Sequence, residues 1–256
     1  SRDAMMVAEH LGIPFQVLDL SGIYKERIVD YMFEEYGKGR TPNPDVLCNR
    51  EIKFDVFLDE ALKLGADFVA TGHYVRKEVV LVDGVEEYRL MSGLDNNKDQ
   101  SYFLCQLNQF QLSKALFPIG DLEKSEVRRL AAEGGLATAT KKDSQGLCFI
   151  GHVSLPDFLQ QQLKVKEGEV IEIDVNGIAA SRELDRMKNM AGLDDYHQWH
   201  SKFSSSDGRV VGKHQGAHFY TRGQRRGLQI GGKPLPLFVL QTDVINNVIF
   251  VGQGED

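Results

Sequence analysis

Apolar positions along the chain follow two alternating periods, and the alternation sketches a fold. Met5, Ala8 and Leu11 lie near one face of a helix predicted over residues 1–11, which stops at Gly12. The apolar run 15–18 reads as a strand. Helical spacing returns over 23–36, with Ile28, Tyr31, Met32 and Tyr36 on one side. After the turn-rich stretch 37–44, a helix is predicted over 54–64, closed by Gly65, and then a short buried strand over 67–71. Helix and strand exchanging at this pitch predict a parallel sheet with crossover helices. The period then shortens to two: residues 75–82 and 85–91 flank Asp83-Gly84, a hairpin signal. Helical stretches follow over 101–116 and 122–133, the second ended by Gly134.

Beyond Gly151 the register changes, and the main boundary falls near 152. A helix over 156–163 precedes a strand over 169–173. Strands over 238–243 and 248–251 flank Asn246-Asn247 and predict a second hairpin. Residues 174–208 read as an insertion. It carries a helix over 182–190 capped by Ser181 and stopped by Gly192, the single tryptophan (Trp199), and an exposed serine-rich loop over 204–208.

Length and composition narrow the class. The 256 residues are 42% hydrophobic and 26% charged, a globular profile with enough chain for a large core. No apolar run approaches the ~18 residues of a membrane span. A net charge of −7 confines any nucleic-acid surface to a local patch. Three cysteines (Cys48, Cys105 and Cys148) form no CxxC and cannot all pair, which excludes a secreted disulfide scaffold and predicts a cytoplasmic protein.

Two motifs carry candidate chemistry. In TPNPDVLCNR (41–50), two prolines stiffen a loop that ends at Cys48, where a helix is expected to begin. A thiol at a helix N-terminus beside Arg50 and Lys53 gains thiolate character, and Asp45 lies close enough to carry a proton. In KKDSQGLCFIG (141–151), Cys148 follows a Ser-Gln-Gly turn with two lysines nearby. Each cysteine also reads as a small buried hydrophobe; Cys105, in an amphipathic helix without a local base, is expected in the core. Gly72, in ATGHY at the end of a predicted parallel strand, leaves room for a nucleotide against the backbone. Arg209, Lys213, Arg222, Arg225, Arg226 and Lys233 place six positive charges and no acid in 25 residues, a footprint for a polyanion. A near match to a phosphate loop over 227–234 fails because Pro234 offers neither hydroxyl nor N–H. Histidines 197, 200, 214 and 218 are spaced like metal ligands but lack thiolates nearby, and no metal is assigned.

Taken together, TPNPDVLCNREIKF (41–54), ATGHY (70–74), KDQSYFL (98–104), DSQGLCFIG (143–151) and YTRGQRRG (220–227) resemble the bacterial tRNA-specific 2-thiouridylases. The likeness runs over 1–173 and 209–256. It implies an α/β protein. Residues 1–152 would form a parallel-sheet, nucleotide-hydrolase-like domain of ATP pyrophosphatase type, lacking its first strand and phosphate loop. Residues 153–233 would form a small α+β middle domain that binds tRNA and carries the insertion, and 234–256 would begin a C-terminal β-barrel. The family's Ser-Gly-Gly-x-Asp-Ser loop does not occur here, so an N- and C-terminally incomplete copy is expected.

The implied activity is ATP-dependent 2-thiolation of the wobble uridine of tRNA. ATP with Mg²⁺ adenylates the C2 oxygen, and sulfur from a cysteine persulfide, delivered by a relay protein, displaces AMP. Cys148 would hold the persulfide, and Cys48 would be the second nucleophile, forming a disulfide with it. Asp45 would act as general acid and base. Asn43, Pro44 and Asp45 would meet the target uridine, Lys98, Asp99 and Gln100 the tRNA, and Gly72 the nucleotide; Arg225 and Arg226 add phosphate contacts. The alternative is an RNA-binding protein, or another ATP pyrophosphatase-type protein, without sulfur transfer.

Overall fold

The computed structural model describes residues 2–141, 155–190 and 201–254. The chain divides into two compact units: Ser1–Asp30 with Asn43–Val153, and Tyr31–Pro42 with Ser154–Asp256.

Unit 1 opens with the helix Arg2–Leu11, which Gly12 ends at a φ of +66°. Residues 13–18 do not form the expected strand. A strand exists only within a ladder, and no described strand runs beside this segment, so Phe15 and Val17 stay 40% and 62% exposed. Helical turns Ser21–Tyr24 and Lys25–Asp30 follow. The next helix starts ahead both of the span expected over 54–64 and of the start expected at Cys48: Pro44–Cys48 continues through a π-helical stretch, Asn49–Val56, into Phe57–Lys63. Pro44 pre-sets its first turn and Asn43 caps it.

The expected parallel pairing is present, though short. Strand β1 (Val69–Ala70) will pair with a later strand, while β2 (Val75–Val82) and β3 (Val85–Ser92) form the predicted hairpin in full register. Asp83 and Gly84, at φ +52° and +81°, make a two-residue turn whose twist suits the ladder. The helix expected over 101–116 breaks in two. A single 3₁₀ turn, Ser101–Leu104, is followed by the helix Gln109–Lys114, because Asn108 and Gln111 form a reciprocal capping box that starts a new helix. Cys105 falls in the gap and is exposed, which corrects its expected place in the core. Strand β4 (Ala115–Leu116) pairs with β1 in parallel. The helix Lys124–Glu133 ends at Gly134 as predicted. Phe54, Val75, Leu104 and Ala115 form the buried centre, with Leu90, Leu107 and Phe117 against them.

Unit 2 is built on one sheet: β5 (Gly168–Ile173), β6 (Gly208–His214), β7 (Leu237–Asp243) and β8 (Val248–Gln253), in spatial order β6-β5-β8-β7. β5 and β8 run parallel; the outer pairs are antiparallel. Residues 237–253 therefore share one sheet with 168–173 and 208–214. Alternate residues supply two faces. Val170, Val239, Ile249 and Val251 meet Ala217, Leu228 and Leu237 on one side. Ile171, Ile173, Val248 and Phe250 meet Ala179, Ala180 and Phe203 on the other.

The latter partners come from the insertion, so that segment covers the sheet. Its helix is Ile178–Lys188, starting four residues earlier than expected behind Gly177. Glu183, buried there, accepts from the Lys202 N–H at 3.1 Å and from Arg186. The helix Leu155–Leu159 is shorter than the expected 156–163. Phe33 of the helix Tyr31–Gly37 stacks on Phe158 with centroids 5.3 Å apart. Trp199, His197 and His200 lie outside the described residues.

Candidate functional site

Unit 1 gathers the proline-framed motif and the KDQSYFL segment around one helix start. Asn43 is extended, at φ −105° and ψ 94°, as a residue before proline prefers. Its Oδ1 accepts from the Asp45 and Val46 N–H groups, each at 3.2 Å, and its Nδ2 donates to the Tyr102 hydroxyl at 3.3 Å. Pro44 is the first helical residue and Asp45, half-buried, the second.

Cys48 is therefore one turn inside the helix and wholly buried, not at its N-terminus. Its thiol thus gains no thiolate character from a helix N-terminus. Arg50, expected to favour its anion, instead bonds Glu51 at 2.8 Å and the Gln106 side chain at 2.8 Å.

Asn49 is the residue that sequence reasoning missed. It is 2% exposed and its Nδ2 donates both to the Asp45 carbonyl, at 3.0 Å, and to the Phe103 carbonyl, at 3.2 Å. It clamps the turn bearing Asp45 and Cys48 to the 3₁₀ turn 54 residues on. Its Oδ1 is buried without a hydrogen-bond partner among the described residues.

The KDQ triplet is largely committed to the fold. Asp99 accepts from the Gly93 and Ser101 N–H groups at 3.2 and 3.1 Å and from the Ser101 hydroxyl at 2.8 Å. Burial alone would raise its pKa, but these donors outweigh it and hold the carboxyl below its usual range. Gln100 accepts from the Tyr74 N–H at 3.1 Å, while its own N–H reaches the Tyr74 carbonyl at 3.3 Å. Lys98 is half-buried.

Gly72 lies just beyond the C-terminal end of β1. A Cβ there would meet only the Ile119 Cδ1 at 3.9 Å, and its φ is not positive. Neither packing nor backbone requires glycine there. His73 beside it is buried between Phe54 and Phe117, its Nδ1 2.8 Å from the Thr71 hydroxyl. Burial, with the Lys53 charge behind it, pushes its pKa down to about 4, so it is a neutral imidazole at pH 7.

The basic footprint in unit 2 is thinner than its charge count. Arg209 and Lys233 both pair with buried Glu172, and Lys213 pairs with Glu167. Arg225 and Arg226 are exposed on the loop before β7. Elsewhere, Lys38 and Arg40 pair with Glu34 and Glu35, and Lys141 with Asp3. His214 accepts from the Gly216 N–H at 2.9 Å. Among the described residues no three His, Cys, Asp or Glu side chains could hold a metal ion, and no helix is long and apolar enough to cross a membrane. Cys148 and Lys142–Gly151 lie outside the described residues.

Residues 1–152 match the family model described as the tRNA methyl transferase HUP domain, and 197–253 the tRNA methyl transferase PRC-barrel domain. Among curated relatives, the tRNA-specific 2-thiouridylase MnmA of Christiangramia forsetii is 65% identical over 100% of this chain and 65% of its own length. Those of Flavobacterium johnsoniae and Karelsulcia muelleri are 60% and 45% identical, over 98% and 100% of this chain and 64% and 65% of their own. The chain thus spans slightly less than two thirds of the relatives it matches. With its parallel β1–β4 pair in unit 1 and the four-stranded sheet of unit 2, the chain belongs to the tRNA methyl transferase HUP-domain family, joined to that family's PRC-barrel domain.

Proposed function

We propose that this chain is part of an enzyme that thiolates C2 of the wobble uridine of tRNA. The observation that carries the reading is the helix start at Asn43. It presents Asp45 at its rim and holds Cys48 one turn deeper, clamped through Asn49 to the KDQSYFL segment. The naming of relatives up to 65% identical as tRNA-specific 2-thiouridylases supports the same reading.

ATP with Mg²⁺, when bound, converts the C2 oxygen into a leaving group that departs as AMP. Gly72 receives an edge of that nucleotide; the phosphate-binding residues implied by the resemblance are not among the 256. Cys148 accepts a terminal sulfur from a relay protein, and this persulfide attacks C2. The Cys48 thiolate then attacks the Cys148 Sγ. The S–S bond of the persulfide breaks, the terminal sulfur stays on C2 as the thiocarbonyl, and a Cys48–Cys148 disulfide forms. An external dithiol reduces that disulfide for the next turn. Asp45 moves the proton at the base, and burial of Cys48 shields it from other oxidants until Cys148 reaches it. Asn43 and Pro44 shape the uridine site, Lys98, Asp99 and Gln100 position the RNA, and Arg225 and Arg226 contact phosphates. The activity belongs in the cytoplasm.

Full-length protein loaded with radioactive sulfur separates the steps. Cys148→Ser should take no label. Cys48→Ser should take label yet lose tRNA thiolation by about two orders of magnitude or more. Cys105→Ser, at an exposed position, should retain both. Normal thiolation by the Cys48→Ser and Cys148→Ser variants would overturn the reading.

A further inference from the structure

We propose that Tyr102 is a stacking platform for an unpaired nucleobase of the RNA, set beside the helix start that carries Asp45. The inference rests on the RNA reading above and goes beyond it by naming the surface that receives a base.

Tyr102 is 63% exposed, yet it is held at both ends. Its hydroxyl accepts from the Asn43 Nδ2 at 3.3 Å, and its ring meets Phe103 edge-on, centroids 5.7 Å apart and planes at 71°. An exposed aromatic ring normally samples several rotamers. Here the polar end is satisfied and the orientation is set, while most of the ring remains in water.

Asn43, by contrast, is committed. Its oxygen caps the helix through two backbone N–H groups and its amide reaches Tyr102. Asn43 therefore organises the site, and the surface left to receive a base is the ring it pins. Other exposed aromatic rings of unit 1, such as Phe110 and Phe68, carry no hydroxyl to anchor them.

The chemistry suits single-stranded RNA. Every base has a π-face, so an oriented aromatic ring holds an unpaired base whatever its identity, whereas paired bases offer no face to it. A pre-oriented ring loses little rotamer freedom on binding. Stacking on Tyr102 would hold a loop nucleotide beside the helix start that carries Asp45.

The test uses the full-length protein, an anticodon stem-loop RNA of a thiolated tRNA, and a fully paired duplex of equal length. Tyr102→Ala and Tyr102→Leu should weaken stem-loop binding roughly five- to a hundredfold and raise KM accordingly. Tyr102→Phe should bind between the parent and Tyr102→Ala, because the face remains while the Asn43 link that orients it is gone. Tyr102→Trp, with a larger face but without that link, should also bind more tightly than Tyr102→Ala. The duplex should be indifferent to all four. At a site this exposed, each variant should melt with the parent, and the Trp and Phe variants retain the bulk if truncation does not. Unchanged stem-loop binding by Tyr102→Ala overturns the platform. So does a Phe variant as weak as Ala, which would reduce Tyr102 to a hydrogen-bonded brace. If the parent itself neither binds nor thiolates the stem-loop, the functional reading fails as well; if it does both, only the platform is at stake.

Discussion

Asn49 in unit 1 and Glu172 in unit 2 are both buried polar side chains at the centre of a hydrogen-bonded hub, and they meet burial in opposite ways. Asn49 is neutral, gives its amide hydrogens to two carbonyls, and leaves its oxygen without a partner among the described residues. Glu172 is saturated: Arg209, Lys233 and Gln253 all reach its carboxylate. Burial by itself would raise the Glu172 pKa, but Lys233, Gln253 and Arg209 outweigh it and hold the group below the usual carboxylate range. An unpaired amide oxygen costs about 1–3 kcal/mol, whereas a buried unpaired charge costs several times more. A neutral hub can therefore keep one valency open beside the Asp45–Cys48 turn, while a charged hub must close every bond and serves as a clamp.

The comparison breaks if the energies fall in the wrong order. Glu172→Ala strands Lys233, which is 18% exposed, and should destabilise by about 3 kcal/mol in denaturant unfolding, against a smaller loss for Glu172→Gln. A loss below about 1 kcal/mol would make the clamp idle.

Acid should sharpen the contrast, because unit 1 carries a second neutral buried group in His73. The unfolded imidazole takes a proton below about 6.5, while the folded one resists until about 4. Stability from keeping His73 neutral is thus complete above pH 6.5, falls as the pH drops towards 4, and changes no further below that. The parent should lose about 2–3 kcal/mol more than His73→Asn across this window. Parallel pH curves for the two would remove His73 as the cause.

Asn49→Ala should be the mildest, about 1–2 kcal/mol, since it removes two hydrogen bonds but also the unpaired oxygen. Its larger effect should be on sulfur transfer. A cost above that of Glu172→Ala would reverse the comparison.

What could be read from the residues follows how local the deciding interactions are. The Asp83-Gly84 hairpin depends on two adjacent positive φ angles, and the helix Lys124–Glu133 on the glycine after it; both were legible. The segment 13–18 has a strand's composition but no ladder to join among the described residues, and only the fold shows that. The helix start was misplaced at Cys48 because the capping bonds of Asn43 lie earlier in the same motif. Asn-Pro is a helix-start signal in its own right, so this start is legible in the sequence. Asn49 is not: its second partner, Phe103, is 54 residues away, and nothing in an Asn after a Cys announces it.

One feature of the sheet bears on how such a protein can change over time. Ile173 and Gly208 are register partners, so the chain leaves β5 and re-enters at β6 from adjacent points on the ladder. The segment between them thus leaves and rejoins the sheet at one place, and its length is nearly decoupled from the strands that flank it. Doubling such a loop adds only about 0.6 kcal/mol of closure entropy. The residues that cover the sheet, Ala179, Ala180 and Phe203, sit close to its two ends. Insertions and deletions between Lys188 and Ser201, which leave the helix Ile178–Lys188, its Glu183–Lys202 link and these anchors in place, would therefore be tolerated, and this is where lineages of the family are expected to differ in length while keeping the same four-stranded scaffold.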